Sequence, residues 1–269
     1  NRHNEKEEVI MNISEHLFDL TGKNAVVVGG AGGIGQAIAQ GLAVYGARVA
    51  IASRREESLK RAQQEILESS GKQVCYYTVD AGDEDSVIAL LNAALAEFGE
   101  VDILVNAQGF NQKFPATEFP MDVWDQMFSV NVRSLMLTCK HFGAHMKQNG
   151  SGKIINLSSV RGVRACGGGN TGYGATKGAV DMMTRMLAKE LGPEVCVNAI
   201  GPTITYTPMM VGVLPADPQE RAAKAANMPL KRIGEPEDCA GPAVFLASAA
   251  SDFMSGQILY PDGGLTAMG

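Results

Sequence analysis

Apolar positions along the chain follow two alternating signatures. Ala25-Val26-Val27-Val28 is a continuous β-branched run that stops in glycines, the pattern of a strand buried on both faces. Ile34, Ile38 and Leu42 then recur four apart, which places them on one face of a helix ending near Gly46. The alternation continues to the C-terminus. Further strands are predicted at Val49 to Ala52, Gln73 to Val79, Asp102 to Val105, Ile154 to Leu157, Val195 to Ile200 and Gln257 to Tyr260. Helices are predicted between them, at Glu56 to Ser69, Ser86 to Phe98, Val123 to Met146, Ala175 to Leu191 and Pro236 to Ala247. Such alternation predicts βαβ units. The fold class is therefore α/β, a doubly wound parallel sheet of about seven strands with helices on both faces.

No linker, abrupt composition change or solenoid-period repeat divides the chain, so residues 17–269 are expected to form a single domain. Residues 1–16 are polar, with no apolar stretch of the secretory kind, and are expected to be a flexible N-terminal extension. One irregular stretch interrupts the alternation. Residues 201–229 hold Pro202, Pro208, Pro215, Pro218 and Pro229 together with Met209, Met210 and Met228, and are expected to form a substrate-binding flap.

Apolar residues make up 45% of the 269, enough for one large core. The net charge of −6 argues against a nucleic-acid or anionic-membrane surface. No apolar run approaches the roughly 18 residues of a membrane-spanning helix. Cys75, Cys139, Cys166, Cys196 and Cys239 are scattered and form no Cys-x-x-Cys pair, which suits small buried residues in a reducing cytoplasm better than disulfides or zinc. His141 and His145 lie four apart but lack an evident third ligand, so no metal is expected.

The first strand runs directly into Gly29-Gly30-Ala31-Gly32-Gly33-Ile34-Gly35 and then a helix. Glycines let the backbone turn tightly and approach a pyrophosphate, and the helix N-terminus offers that anion free N–H groups. This context makes the run a dinucleotide-binding, Rossmann-type signature. An NAD site usually presents an acid at the end of the second strand. Here that strand ends in Ser53-Arg54-Arg55, with no acid until Glu56. Arginine carries fixed charge and a fork of donors suited to a 2′-phosphate, so NADP(H) is favoured, with NAD(H) the alternative because Glu56 and Glu57 are near.

Tyr173-Gly174-Ala175-Thr176-Lys177 puts a phenol and an ammonium one helical turn apart on the same face. A cation so placed lowers the phenol pKa from about 10 toward a range useful for proton transfer. Ser159, at the end of the strand Ile154 to Leu157, brings a hydroxyl to the carboxyl edge of the sheet, where ligands bind in doubly wound folds. Adjacent Ser158 is the second candidate, since neighbours on an extended chain face opposite ways.

With these motifs in this order, the sequence resembles the single-domain branch of the short-chain dehydrogenase/reductase family, from Leu20-Thr21-Gly22-Lys23 to Asp262-Gly263-Gly264. The resemblance implies cofactor contacts at Gly29, Gly33, Ile34 and Gly35, at Asp80 and Ala81, and at Asn106 and Ala107. It adds Pro202, Thr203, Tyr173 and Lys177 to that set. It implies a catalytic set of Asn131, Ser159, Tyr173 and Lys177, with Asn131 ordering a water that links Lys177 to solvent, and a homotetramer. Three departures are visible. Val28 stands where the family usually has Thr, Gln108 enlarges the usual Asn-Asn-Ala-Gly stretch, and Thr203 follows Pro202 in place of Gly.

Within the family, Ser158-Ser159-Val160-Arg161-Gly162 and Gly178-Ala179-Val180-Asp181 resemble gluconate 5-dehydrogenase-like members, which implies a small-molecule sugar acid or polyol as substrate. Candidate substrate contacts are Gln108, Ser159, Arg161, Arg164 and Met209; the two arginines suit a carboxylate or phosphate, or a plain surface role. The alternatives are a 3-oxoacyl-carrier-protein reductase, which the charge of −6 disfavours for an acidic carrier, and a non-catalytic NADP(H)-binding regulator.

Overall fold

The computed structural model describes residues 16–207, 210, 214–226 and 228–268. Seven strands, β1 (Asn24–Val28), β2 (Arg48–Ser53), β3 (Cys75–Thr78), β4 (Ile103–Asn106), β5 (Gly152–Leu157), β6 (Val195–Ile200) and β7 (Ile258–Leu259), alternate with helices. The helices are α1 (Gly33–Val44), α2 (Glu56–Ser70), α3 (Glu84–Phe98), α4 (Met121–Phe128), α5 (Ser134–Asn149), α6 (Thr171–Leu191), α7 (Pro218–Lys224) and α8 (Ala240–Ala247). All neighbouring strands pair in parallel, in the order β3-β2-β1-β4-β5-β6-β7.

The chain steps outward from β1 to β3 and then returns to place β4 on the other side of β1. Strand order therefore reverses between β1 and β4, and the helices leaving them diverge to open a crevice at their carboxyl ends. Register aligns Val28 with Ala52 on one side and Asn106 on the other, so the turns after three strands meet at one edge.

Both sheet faces are covered, which is why β1 and β4 are apolar without alternation. Val27, Ile51, Val105 and Ile155 pack with Ile38, Leu42, Leu59 and Val244 on one face. Val26, Val28, Leu104 and Ile154 pack with Val87, Phe142, Met146 and Val180 on the other. Each such fully buried aliphatic side chain contributes about 1.5–3 kcal/mol. Residues 1–15 of the expected extension lie outside the described residues. The packed chain is already under way at Phe18, whose ring stands 6.4 Å from Phe245, and at Leu20, which is buried.

The third and last strands are shorter than expected, the helix expected from Pro236 opens as a 3-10 turn before α8, and two further differences bear on the site. The single helix expected from Val123 to Met146 is α4 and α5 joined by a five-residue π-turn, Ser129–Arg133. The wider turn swings Asn131 inward, where it is 2% exposed and its Nδ2 and Oδ1 are both hydrogen-bonded. Helix α6 begins at Thr171, before the expected Ala175, so Tyr173 belongs to its first turn.

Within the expected flap, Thr205 bridges to Gly234 and α7 is short. Leu214, Ala225, Met228 and Ile233 form an apolar cluster separate from the two sheet cores, joined by Ile204, Tyr206 and Leu265. Pro208 and Met209 lie outside the described residues.

Candidate active site

The turn after β1 is built by close approach. Gly29 has φ +84, and a Cβ there would fall 2.5 Å from the Ala107 carbonyl carbon and the Gln108 nitrogen, so only glycine lets this turn rest on the loop after β4. Gly35 faces the Gly29 carbonyl in the same way, which seats α1 against the turn. At Gly32, the head of α1, an added Cβ would meet nothing within 4 Å, and no side chain caps the helix. The first N–H groups of α1 are thus left for an anion.

These residues open onto a cleft of about 560 Å³ lined by Val28, Gly29, Gly32, Ser53, Arg54, Arg55, Asp80, Ala81, Ala107 and Gln108, among others. Gly33 and Ile34 sit in the first turn of α1, and Ile34 packs against the core beneath it. Arg54 and Arg55 are exposed at the end of β2, and among the described residues neither forms an ion pair. Of the two carboxylates that keep NAD(H) open, Glu56 is held by Lys60 at 2.9 Å, and Glu57 is exposed in the first turn of α2. Asp80 accepts from the Gly82 N–H at 3.0 Å, which shapes the wall beside Ala81.

Asn106, expected among the cofactor contacts, has its side chain engaged within the fold. Its amide donates to Asn156 Oδ1 at 3.0 Å and accepts from Thr138 at 2.7 Å, inside the layer of α5 and α6. Gln108 lies on the cleft and not beside Tyr173: its Nε2 donates to Ser134 Oγ at 3.0 Å, and its buried Oε1 has no partner among the described residues.

A second group assembles where the turn after β5 meets α6. Lys177 is 3% exposed; its Nζ donates 2.6 Å to the Leu157 carbonyl and stands 5.6 Å from the centre of the Tyr173 ring. Burial brings the Lys177 ammonium down to about 8, against the pull of the Asp181 carboxylate. Burial raises the Tyr173 phenol, while the Ser159 hydroxyl and the Arg161 guanidinium act to lower it. Arg161 therefore joins Lys177 as a second cation near the phenol, one that the helical spacing did not point to. Although protein atoms crowd the phenol, Tyr173 keeps part of its surface open to solvent.

Ser159 donates to the Pro202 carbonyl at 3.3 Å and accepts from the Arg161 N–H at 3.2 Å. Ser158 faces the other way, donating to Asp181 at 2.5 Å, so the alternative serine is turned from the site. Pro202 and Thr203 follow β6 directly, and the Pro202 carbonyl also receives the Val160 N–H at 3.1 Å.

Asn131 closes the group. Its Oδ1 accepts from the Phe110 N–H at 2.7 Å, and its Nδ2 donates to the Phe110 carbonyl at 2.9 Å and to Thr176 Oγ1 at 3.0 Å. Thr176 in turn donates to the Tyr173 carbonyl at 2.8 Å. A Cβ on Gly109 would stand 3.8 Å from Asn131 Oδ1 and 4.0 Å from Lys177 Nζ, so the space there adjoins both. Thr176 and Ser134 were not visible as site residues in the sequence. Nothing but the fold tells that a hydroxyl at those positions meets Asn131 or Gln108.

The remaining substrate candidates separate. Arg161 is partly exposed next to Ser159, and its guanidinium makes no ion pair among the described residues. Arg164 donates from Nη1 to the Leu265 carbonyl at 2.8 Å, which engages it with the C-terminal segment. Met209 lies outside the described residues. His141 meets Glu84 at 2.8 Å, whereas His145 receives the Val101 N–H at 3.3 Å, so the two imidazoles serve different partners.

A glycine-turn cleft whose lining residue Gly109 adjoins Lys177, together with a Tyr, a Lys and a Ser grouped after β5, defines a class, the oxidoreductases acting on alcohols and carbonyls. A family model described as enoyl-(acyl carrier protein) reductase matches residues 29–266. The gluconate 5-dehydrogenase of Gluconobacter oxydans is 37% identical over 251 residues, 93% of this chain and 97% of that one. The cis-4-hydroxycyclohexanecarboxylate dehydrogenase of Sinomonas cyclohexanicum is 40% identical over 249 residues, 91% and 96% of the two chains. Among solved structures, a gluconate 5-dehydrogenase from Burkholderia cenocepacia in complex with NADP and tartrate superposes with a TM-score of 0.87 at 32% identity, covering 94% of this chain and 99% of that one. The chain belongs to the short-chain dehydrogenase/reductase family. It is an oxidoreductase acting on CH–OH groups. Among the described residues, no helix is long and apolar enough to cross a membrane.

Proposed function

We propose that this enzyme interconverts a secondary alcohol and a ketone on a small hydroxy acid of the sugar-acid kind, with NADP(H) preferred over NAD(H). The observation that carries the reading is the meeting of Tyr173, Ser159 and Lys177 where the turn after β5 reaches α6, at the carboxyl edge that also holds the glycine cleft. The cleft suits a dinucleotide because Gly29 and Gly35 leave room where any Cβ would collide and because α1 begins without a cap. A nicotinamide dinucleotide held there supplies or accepts the hydride.

The chain supplies the rest. In the reducing direction Tyr173 donates the proton to the carbonyl oxygen, and in the oxidising direction it takes it back. Ser159 hydrogen-bonds that same oxygen and fixes its pose. Lys177 lends positive charge beneath the ring, and Asn131 orders the water through which the proton is replaced. Unpaired Arg54, with Ser53 and Arg55, recognises the 2′-phosphate, and the nearer of the two carboxylates that follow, Glu56, is paired with Lys60.

Arg161 supports the acidic substrate class, because it offers an unpaired guanidinium next to Ser159. The relatives named for gluconate and for hydroxycyclohexanecarboxylate are, by those names, enzymes of hydroxy acids. Exposed Met136 of α5 and Met182 and Met186 of α6 support a homotetramer built on those helices.

The test is NADPH and NADH consumption across keto-sugar acids, uncharged ketoses and 3-oxoacyl thioesters. Keto-sugar acids turning over best with NADPH, with the preference over ketoses lost in Arg161→Ala, is the expected result. Activity confined to thioesters would replace the substrate with an acyl chain and leave the chemistry intact. NADPH binding with no turnover on any of the three would leave a cofactor-binding regulator.

A further inference from the structure

Behind the serine pair, away from the cleft, lies a buried carboxylate that the chemistry above does not use. Asp181 sits one helical turn beyond Lys177 on α6 and is 2% exposed. Its Oδ1 accepts a 2.5 Å hydrogen bond from the Ser158 hydroxyl, which also stands 3.4 Å from the Lys177 carbonyl. Its Oδ2 lies 3.5 Å from the Tyr260 hydroxyl, and a Cβ on Gly162 would fall 2.5 Å from that same oxygen. Glycine at 162 is what lets the turn after β5 close over the carboxylate.

These contacts bracket Ser159. Ser158 immediately precedes it, and Gly162 ends the short 3-10 turn, Val160–Gly162, that follows it. A carboxylate accepting from a hydroxyl in a buried place holds that hydroxyl in one direction, because few other partners compete for it. The charged groups around Asp181 are Lys177 and Arg185 on its own helix, with Ser158 and Tyr260 the polar groups from the packed elements.

We propose that Asp181 is a positioning residue, which through Ser158 and Gly162 fixes the turn that presents Ser159 to Tyr173. The proposal rests on the reading of Tyr173 and Ser159 given above. Asp181 has a second, electrostatic consequence. It is the anion that opposes the desolvation of Lys177, whose ammonium stands at about 8. Removing its charge therefore lowers the pH at which Lys177 loses its proton.

The test compares Ser158→Ala, Asp181→Asn and the double variant in NADPH-dependent keto-acid reduction. Each single variant is expected to lower kcat about tenfold, the size of a lost hydrogen bond to a charged group. NADPH affinity stays put, because the pair lies away from the glycine turn. The double variant loses no more than the worse single, since one interaction is removed twice. In Asp181→Asn and in the double variant, but not in Ser158→Ala, the alkaline fall of the kcat profile moves to lower pH. Ser158→Thr, which keeps a hydroxyl, restores most of the kcat lost in Ser158→Ala and carries the test if Asp181→Asn does not fold. A merely structural pair would lower the melting temperature and leave kcat and the pH profile of the folded variants at wild-type values, which overturns the proposal. Tyr173→Phe, run alongside, separates the two ideas. Retained turnover there sinks the reading of Tyr173 and the proposal with it, whereas wild-type kcat in the folded Ser158 and Asp181 variants sinks the proposal alone.

Discussion

Burial holds the Tyr173 phenol above its ordinary range, so in the free protein at neutral pH it carries its proton. That state suits a proton donor to a ketone. Lys177, by contrast, stands at about 8 and is charged only below that pH. The sign of the pH dependence follows: proton donor and cation are both in place at neutral pH, and the cation is lost first as pH rises. The kcat/KM of ketone reduction should therefore be level near neutrality and fall as pH passes about 8. A profile level through about pH 10, the ordinary range of a lysine, would remove Lys177 from that role. Arg54 makes a separate prediction. In Arg54→Ala the KM for NADPH should rise about tenfold while that for NADH stays unchanged, because only the 2′-phosphate loses a partner. Equal rises for both cofactors would place Arg54 elsewhere. The pairing of Tyr173 with Lys177 was legible because the two share one helix and their spacing alone brings them together. Arg164 was not, because its partner carbonyl at Leu265 is 101 residues away, and no local pattern carries that contact.

The glycine turn and the π-turn are the two elements that shape the site, and they were unequally readable. The turn announces itself, since a run of glycines between a strand and a helix has few other uses. Gly29→Ala should be severe, because the added Cβ meets backbone 2.5 Å away at φ +84 and nothing flexible can yield. We expect a loss of about 1–3 kcal/mol in stability and at least tenfold in NADPH affinity, measured by denaturant titration and cofactor fluorescence. Affinity close to wild type would show that the cleft does not depend on this approach. The π-turn left no such mark. Apolar residues continue through Ser129–Arg133 at near-helical spacing, so periodicity reads one long helix, and only the bonds from Asn131 to Phe110 and Thr176 explain the extra residue.

On the scale of the whole molecule, seven strands in parallel followed from the alternation of apolar runs with helical spacing. Their order depends on crossovers that local pattern does not contain, although the right-handed rule for βαβ units narrows the choice. The separate apolar cluster of Leu214, Ala225, Met228 and Ile233 was equally hidden, because its members are dispersed among prolines and join Leu265 only in the folded chain. The exposed methionines on α5 and α6 make the assembly testable. Met182→Lys with Met186→Lys should convert a tetramer to smaller species in sedimentation while each chain stays folded, since both positions are more than half exposed in the single chain. An unchanged sedimentation coefficient would move the interface to another surface.

The measurement that bears most directly on the enzyme as a whole is NADPH consumption with a keto-sugar acid at neutral pH, in the wild type and in Tyr173→Phe. If Tyr173 carries the proton, the variant stays folded, binds NADPH as before, and loses about two to four orders of magnitude in kcat. A folded Tyr173→Phe variant turning over at the wild-type rate would contradict it, and the proton would have to come from another group.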